Sequence, residues 1–320
     1  MLANMRILIG YDGSNCAEAA IYDLRRAGLP ADTEAVVMTS ADVSPHLPAS
    51  CYEPMDPQAL AEQPQFIRTA HALAQAALAE AKTVASEGVR LVKAEFPTWK
   101  VESLTAGDFS PYRALIRKAD EWRPDLVVVG SHGRSAAGRA LLGSVSQNVL
   151  SHAICSVRVA RFREDARRVV GDPVRLVLGI DGSPDSAAAV SAVADRPWPD
   201  GSEVLVVIAI DPVTSLALAY GPPFGIFGPR MAVPGNDNAH ARQIPESVAK
   251  ELRRSGLSAV PVVENGDPKN VLLREAERFN ADCIFVGAKG HSRLERFLLG
   301  SVSSAVAARA GCTVEVVRQG

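Results

Sequence analysis

LVVVGSHGRSAAGRALLGSVSQNVL, residues 126–150, joins four consecutive apolar β-formers to a helix through a segment rich in glycine and small hydroxyl residues. A short apolar run bounded by turn residues reads as a strand buried on both faces, as in a parallel sheet. The helix begins near Gly143-Ser144. Working outward, CIFVGAKGHSRLERFLLGSVSSAVAARA, from Cys283 to Ala310, has the same form. Both fit G-x2-G-x9-G-S, with Gly130, Gly133 and Gly143 in one copy and Gly287, Gly290 and Gly300 in the other. Both continue as S-V-S into a helix and end in a short strand, Cys155–Val159 and Cys312–Val317.

The fronts repeat too. Ile7-Leu8-Ile9-Gly10-Tyr11-Asp12-Gly13-Ser14 parallels Leu176-Val177-Leu178-Gly179-Ile180-Asp181-Gly182-Ser183. Gly107-Asp108 and Gly266-Asp267 each precede the helix that leads to the glycine loop. Asp12 and Asp181 are 169 residues apart and Gly130 and Gly287 are 157 apart, so the middle regions differ in length. The pattern predicts strands near 5–11, 34–40, 98–104, 125–130 and 155–160, then 174–180, 203–210, 259–264, 282–287 and 312–317. Helices are predicted near 14–27, 65–88, 109–122 and 143–152, with helices between the strands of the second copy. Phe66, Ile67, Ala70, Leu73, Ala74, Ala77, Leu78, Ala81 and Val84 recur at helical spacing, and Gly88 is expected to stop that helix. Two domains follow, 1–162 and 172–320, with Arg161–Pro173 as linker. Two long stretches break the symmetry, Ala41–Pro64 and Asp211–Asn238; loops of that length are lids, partner surfaces or disordered segments.

Composition narrows the function. The 320 residues are 47% hydrophobic with net charge −2, so no strong field favours nucleic acid or an anionic membrane. Aromatics at 5% are too few for a base-stacking surface. Five cysteines, with no C-x-x-C pair, indicate a reducing cytoplasm. The histidines lack zinc spacing. No signal peptide and no apolar run of membrane-spanning length is read. Walker, dinucleotide and G-x-S-x-G signatures are missing.

A glycine loop between strand and helix brings backbone amides and a helix N-terminus to the end of a sheet, where phosphate binds. Glycine would allow a left-handed backbone and close approach of the anion. Gly143-Ser144 and Gly300-Ser301 would offer free amides and a hydroxyl. His132, Arg134 and Arg139, or Lys289, His291 and Arg293, would add charge. In a 3-2-1-4-5 strand order Asp12 sits across from Gly130, and Asp181 from Gly287, where a carboxylate can accept from ribose hydroxyls. Ser40 and Ala209, at the ends of the second strands, would flank a base. The alternative is structural: a tight turn, with Asp-Gly-Ser as helix N-cap.

These residues together resemble the universal stress protein family, in tandem and over nearly the whole chain. The resemblance implies an α/β fold of two doubly wound, five-stranded parallel sheets of order 3-2-1-4-5, Rossmann-like and related to the adenine nucleotide alpha hydrolases. The glycine motif marks the family's ATP-binding branch. ATP, accompanied by Mg2+, would meet Asp12, Ser40, Val129, Gly130, Gly133, Arg134, Gly143, Ser144 and Val145. The second copy's set is Asp181, Ala209, Val286, Gly287, Gly290, Gly300, Ser301 and Val302. The fifth strands, Ser156–Ala160 and Thr313–Val317, would pair as an intramolecular pseudo-dimer, and a homodimer is a further expectation. The chain departs from the family's His-Val-like pair after the second strand, with Thr39-Ser40 and Ala209-Ile210 instead. Leu294-Glu295-Arg296-Phe297 is bulky and acidic where Ser135-Ala136-Ala137-Gly138 is small, which favours the first copy. The expected role is a cytoplasmic stress-response protein acting through nucleotide-dependent conformation or an unidentified protein partner, with at most slow ATP hydrolysis. The alternatives are a nucleotide-free interaction module using the 41–64 and 211–238 loops, and a slow ATPase or adenylyl-transferring enzyme.

Overall fold

The computed structural model describes residues 4–41, 51, 53–107, 110–133, 142–161, 171–210, 237–290 and 299–319. It divides into two compact units, nearly all described residues up to 161 in one and those from 171 onward in the other. In the first, strands β1 (Met5–Gly10), β2 (Thr33–Ala41), β3 (Lys100–Gly107), β4 (Leu126–Gly130) and β5 (Ser156–Ala160) form a parallel sheet of order β3-β2-β1-β4-β5. Helices α1 (Asn15–Asp23), α2 (Pro57–Ala61), α3 (Gln65–Glu95), α4 (Pro111–Trp122) and α5 (Ser144–His152) connect them. The second unit has β6 (Arg175–Gly179), β7 (Glu203–Ile210), β8 (Ser258–Asn265), β9 (Cys283–Gly287) and β10 (Thr313–Val317), order β8-β7-β6-β9-β10. Its helices are α6 (Pro184–Ala194), α7 (Asp237–Arg254), α8 (Pro268–Phe279) and α9 (Ser301–Arg309). The fold class and strand order are those expected from sequence.

The central strands are apolar throughout because helices cover both faces of the sheet. Ile7, Leu8, Ile9, Leu126 and Val128 are fully buried, as are Leu176, Val177, Leu178 and Ile284 in the second unit. One detail repeats to the residue. Arg6 N donates to Asp125 Oδ2 at 2.8 Å and Arg175 N to Asp282 Oδ2 at 2.9 Å, locking the lower ends of β1–β4 and β6–β9 in the same register. A buried ion pair ties the fifth strand of each unit to its own first helix region, Arg158–Asp23 in one and Glu315–Arg196 in the other. The charge signs are exchanged between the two strands, a feature not read from sequence.

Several expectations are corrected. The first helix stops at Asp23 and passes into a short 3-10 turn, Leu24–Arg26. Gly88 does not end α3, which runs on to Glu95. Its backbone lies so close to the sheet that a Cβ would come within 2.8 Å of both Tyr11 and Val37. The buried face of α3 consists mainly of Ala70, Ala74, Ala81, Ala85, Gly88 and Val92, while Phe66 and Leu73 point to solvent. Of the two long stretches, residues 57–61 form α2, and residues 42–50, 52 and 211–236 lie outside the described residues. Among the described residues no helix is long and apolar enough to cross a membrane.

The close approach of α3 generates a test. Gly→Val in a helix gains a few tenths of a kcal/mol by propensity, but overpacking typically costs about 1–3 kcal/mol. Gly88→Val is expected to lower stability by about 2 kcal/mol in urea unfolding. Gly311→Ala, where a Cβ meets nothing within 4 Å, should be neutral. A stabilised Gly88→Val would contradict the packing.

Candidate functional site

β1 and β4 are neighbours although β2 and β3 intervene in sequence, so the chain leaves them in opposite directions across the sheet. A crevice opens there, beyond the carboxyl ends of the strands. In the first unit it is a cleft of about 630 Å³, within the roughly 300–1,000 Å³ of small-molecule sites. Asp12, Ser40, Val129, Gly130, Gly133, Gly143, Ser144 and Val145 all line it. In the second unit Asp181, Ala209, Val286, Gly287, Gly290, Gly300, Ser301 and Val302 line a cleft of about 170 Å³. Arg134, and with it Arg139, His291, Arg293 and Asp108, lies outside the described residues.

The D-G-S turns explain why the aspartates are where they are. Asp12 Oδ1 accepts from Ser14 N at 3.0 Å, and Asp181 Oδ1 from Ser183 N at 2.9 Å. The N-caps are the serines, not the aspartates: Ser14 Oγ accepts from Ala17 N and Ser183 Oγ from Ser186 N, each at 3.2 Å. The left-handed backbone expected of the loop glycines falls instead on Gly13 and Gly182, at φ 75° and 80°. Each carboxylate is thereby aimed across the crevice. A Cβ on Gly133 would lie 3.0 Å from Asp12 Oδ2, and one on Gly290 only 2.7 Å from Asp181 Oδ2.

The loop glycines serve contact. A Cβ on Gly130 would strike the Cys16 carbonyl at 2.7 Å, and one on Gly287 the Asp185 backbone at 2.6 Å. Gly130 and Gly287 are therefore required by helix–sheet packing before any ligand is considered. Gly143 N is not free, since it donates to Ser131 O at 2.7 Å, as Gly300 N does to Ala288 O at 2.8 Å. These bonds fold the loop back and present the next residues. Helix α5 has no side-chain cap, and its first intrahelical bond runs from Gln147 N to Gly143 O. The amides of Ser144 and Val145 precede that bond and sit at the positive end of the helix, facing the cleft wall. α9 begins in the same way at Ser301.

Sequence reasoning missed one wall. Ala77, Glu80, Ala81 and Val84 of α3, and Pro111 and Leu115 of α4, also line the first cleft. The recurring alanines of α3 were the available signal, because a stripe of small residues lets a helix lie close to a strand end. Tyr11 is buried beneath the cleft; its amide donates to Met38 O at 2.9 Å, and Thr39 Oγ1 donates to the Tyr11 carbonyl at 2.7 Å. Burial, then the negative charge of Glu18, Glu87 and Asp12, pushes the Tyr11 phenol up to about 12. It therefore stays neutral at physiological pH.

His132 lines the same cleft with Nδ1 3.1 Å from Ser131 Oγ, while its Nε2 is buried without a hydrogen-bond partner. Burial, and secondarily the Arg161 charge, holds its pKa below the ordinary 6.5. The unfolded chain then binds the proton more tightly, so the stabilising contribution is present above pH about 6.5 and is lost as pH falls through the lower folded value. Between pH about 7.5 and about 5.5 the wild type should lose more thermal stability than His132→Gln. Equal losses would contradict the assignment.

Comparison with known proteins follows this geometry. A sequence model described as the universal stress protein family matches residues 3–161 and again 174–318. A universal stress protein of Mycobacterium tuberculosis is 33% identical over 218 residues, which are 66% of this chain and 66% of that protein. The alignment thus falls just short of two thirds of the relative's length. One from Bacillus subtilis is 28% identical over 149 residues, 45% of this chain and 98% of its own. The crystal structure of a universal stress protein from Archaeoglobus fulgidus superposes with a TM-score of 0.63 at 20% identity, covering 98% of each chain, and so shares the fold. With both halves matched separately and each carrying its own crevice, the chain belongs to the universal stress protein family and contains that family's domain twice.

Proposed function

We propose that the chain binds ATP, with Mg2+, in the first-half crevice and acts in stress response through a nucleotide-dependent conformation or partner, not through turnover. The observation that carries this reading is the convergence of the Asp12 carboxylate and the Ser144–Val145 amides on one cleft of about 630 Å³. Asp12 stands where a ribose diol can donate to it, and the α5 N-terminus where phosphate oxygens can accept. Ser40, Ala41 and Met38, from the end of β2, supply a flat wall for a base.

Mg2+ would come with the phosphates, since it keeps several waters and binds through one or two carboxylates plus phosphate oxygens. The Ser144 hydroxyl, at the phosphate end of the cleft, is an oxygen donor that would suit it. Among the described residues no group of three or more His, Cys, Asp or Glu stands together as a dedicated cage. Fast hydrolysis would need a base directed at an attacking water. Asp12 is engaged with Ser14 N, and the His132 Nε2 is buried, so neither suits that task. None of the five cysteines forms a disulfide, which fits a cytoplasmic setting.

Ser144→Asp places a carboxylate at a helix start, where it favours the helix but repels an incoming phosphate. Calorimetry with MgATP should show binding by the wild type and at least a tenfold loss in Ser144→Asp, with an unchanged circular dichroism spectrum. Folded, nucleotide-stripped wild type that fails to bind ATP would overturn the reading.

A further inference from the structure

The two crevices are built on one plan, and one of their differences changes the glycine loop directly. Cys16 follows Asp12 by four residues, and Asp185 follows Asp181 by four, so the second half has a carboxylate where the first has a thiol. That carboxylate is used. Asp185 Oδ2 accepts from Lys289 N, within the glycine loop, at 3.0 Å. Ser183 Oγ donates to the Lys289 carbonyl at 3.1 Å, clamping the same residue from its other side. Asp181 presses on the next turn of the loop, closer to Gly290 than Asp12 is to Gly133. The loop that should meet phosphate is therefore already held by the protein's own carboxylate.

The space agrees. The second cleft, at about 170 Å³, falls below the range of small-molecule sites, whereas the first lies inside it. α3 lends four residues to the first cleft, whereas among the described residues α7 lends none to the second; Pro111 and Leu115 in the first have their counterparts in Pro268 and Leu272 in the second. Lys289 works in the other direction, placing a cation where the first half has His132. A lysine whose own amide is bound to a carboxylate supplies charge to a loop that offers an anion one donor fewer.

We propose that the halves are unequal, the first binding nucleotide and the second kept closed to phosphate by Asp185, a built-in competitor for the loop. This rests on the nucleotide reading above. The test is calorimetric stoichiometry with MgATP on the full chain. The wild type should bind one ATP per chain, lose it in Gly143→Val and keep it in Gly300→Val. Asp185→Ala removes the acceptor, and Asp185→Cys copies the first half. Either should raise second-half affinity at least tenfold and move the stoichiometry towards two, and the added binding should disappear when Gly300→Val is combined with it.

Two equal sites in the wild type would overturn the inequality while leaving the nucleotide reading intact. So would binding lost in Gly300→Val but not in Gly143→Val. Both Asp185 variants folding yet remaining at one ATP would overturn the competitor role. Absence of ATP binding in the folded wild type and in every variant would overturn the nucleotide reading itself, and this inference with it.

Discussion

Pairing of β1 with β4 is the constraint on which the rest of each unit depends. It joins segments more than a hundred residues apart, with Ile7 opposite Leu126 and Ile9 opposite Val128. Asp125, whose carboxylate takes Arg6 N, sets where the pairing starts. Once that register holds, Asp12 must emerge opposite Gly130, and the D-G-S turn and the glycine loop must share one crevice. A slip of one residue would break the Asp125 lock and move the two loops apart. Both halves keep the same lock, which is why two crevices of one design arise in a chain whose middle regions differ.

Much of this was legible in the sequence because its signals were local and doubled. Apolar runs of strand length, turns at Asp12 and Asp181, and glycines at fixed spacing each occur twice. What escaped was set by tertiary contact. Gly88 reads as a stop, yet it is buried within α3 because only hydrogen fits between that helix, Tyr11 and Val37. The glycines of the loop suggest φ freedom, yet Gly130 and Gly287 are glycine because a helix backbone presses on them. The α3 wall of the first cleft was hidden for the same reason, since distance along the chain says nothing about which alanines reach a strand end. The opposite charges of Arg158 and Glu315 needed their partners, Asp23 and Arg196, to make sense.

The crevice gives the family assignment a physical content. Carboxylate on one lip, uncapped helix amides on the other and a small-residue wall between them are the features on which the proposal of an anionic, hydroxyl-bearing ligand rests. A single carboxylate four residues after the shared D-G-S turn occupies a loop amide in the second half, and the proposed inequality of the two halves rests on it. The second half is as well packed as the first, with the central strands fully buried in both.

The central claim is that the amides at the start of α5 receive phosphate. The most direct measurement is the backbone amide resonances of Ser144 and Val145 in 15N-labelled full-length protein, titrated with MgATP. The account predicts large, saturable shifts at Ser144 and Val145 together with Asp12, and smaller ones at Ser301 and Val302. Unchanged Ser144 and Val145 signals at saturating MgATP, in a protein whose spectrum shows it folded, would contradict it.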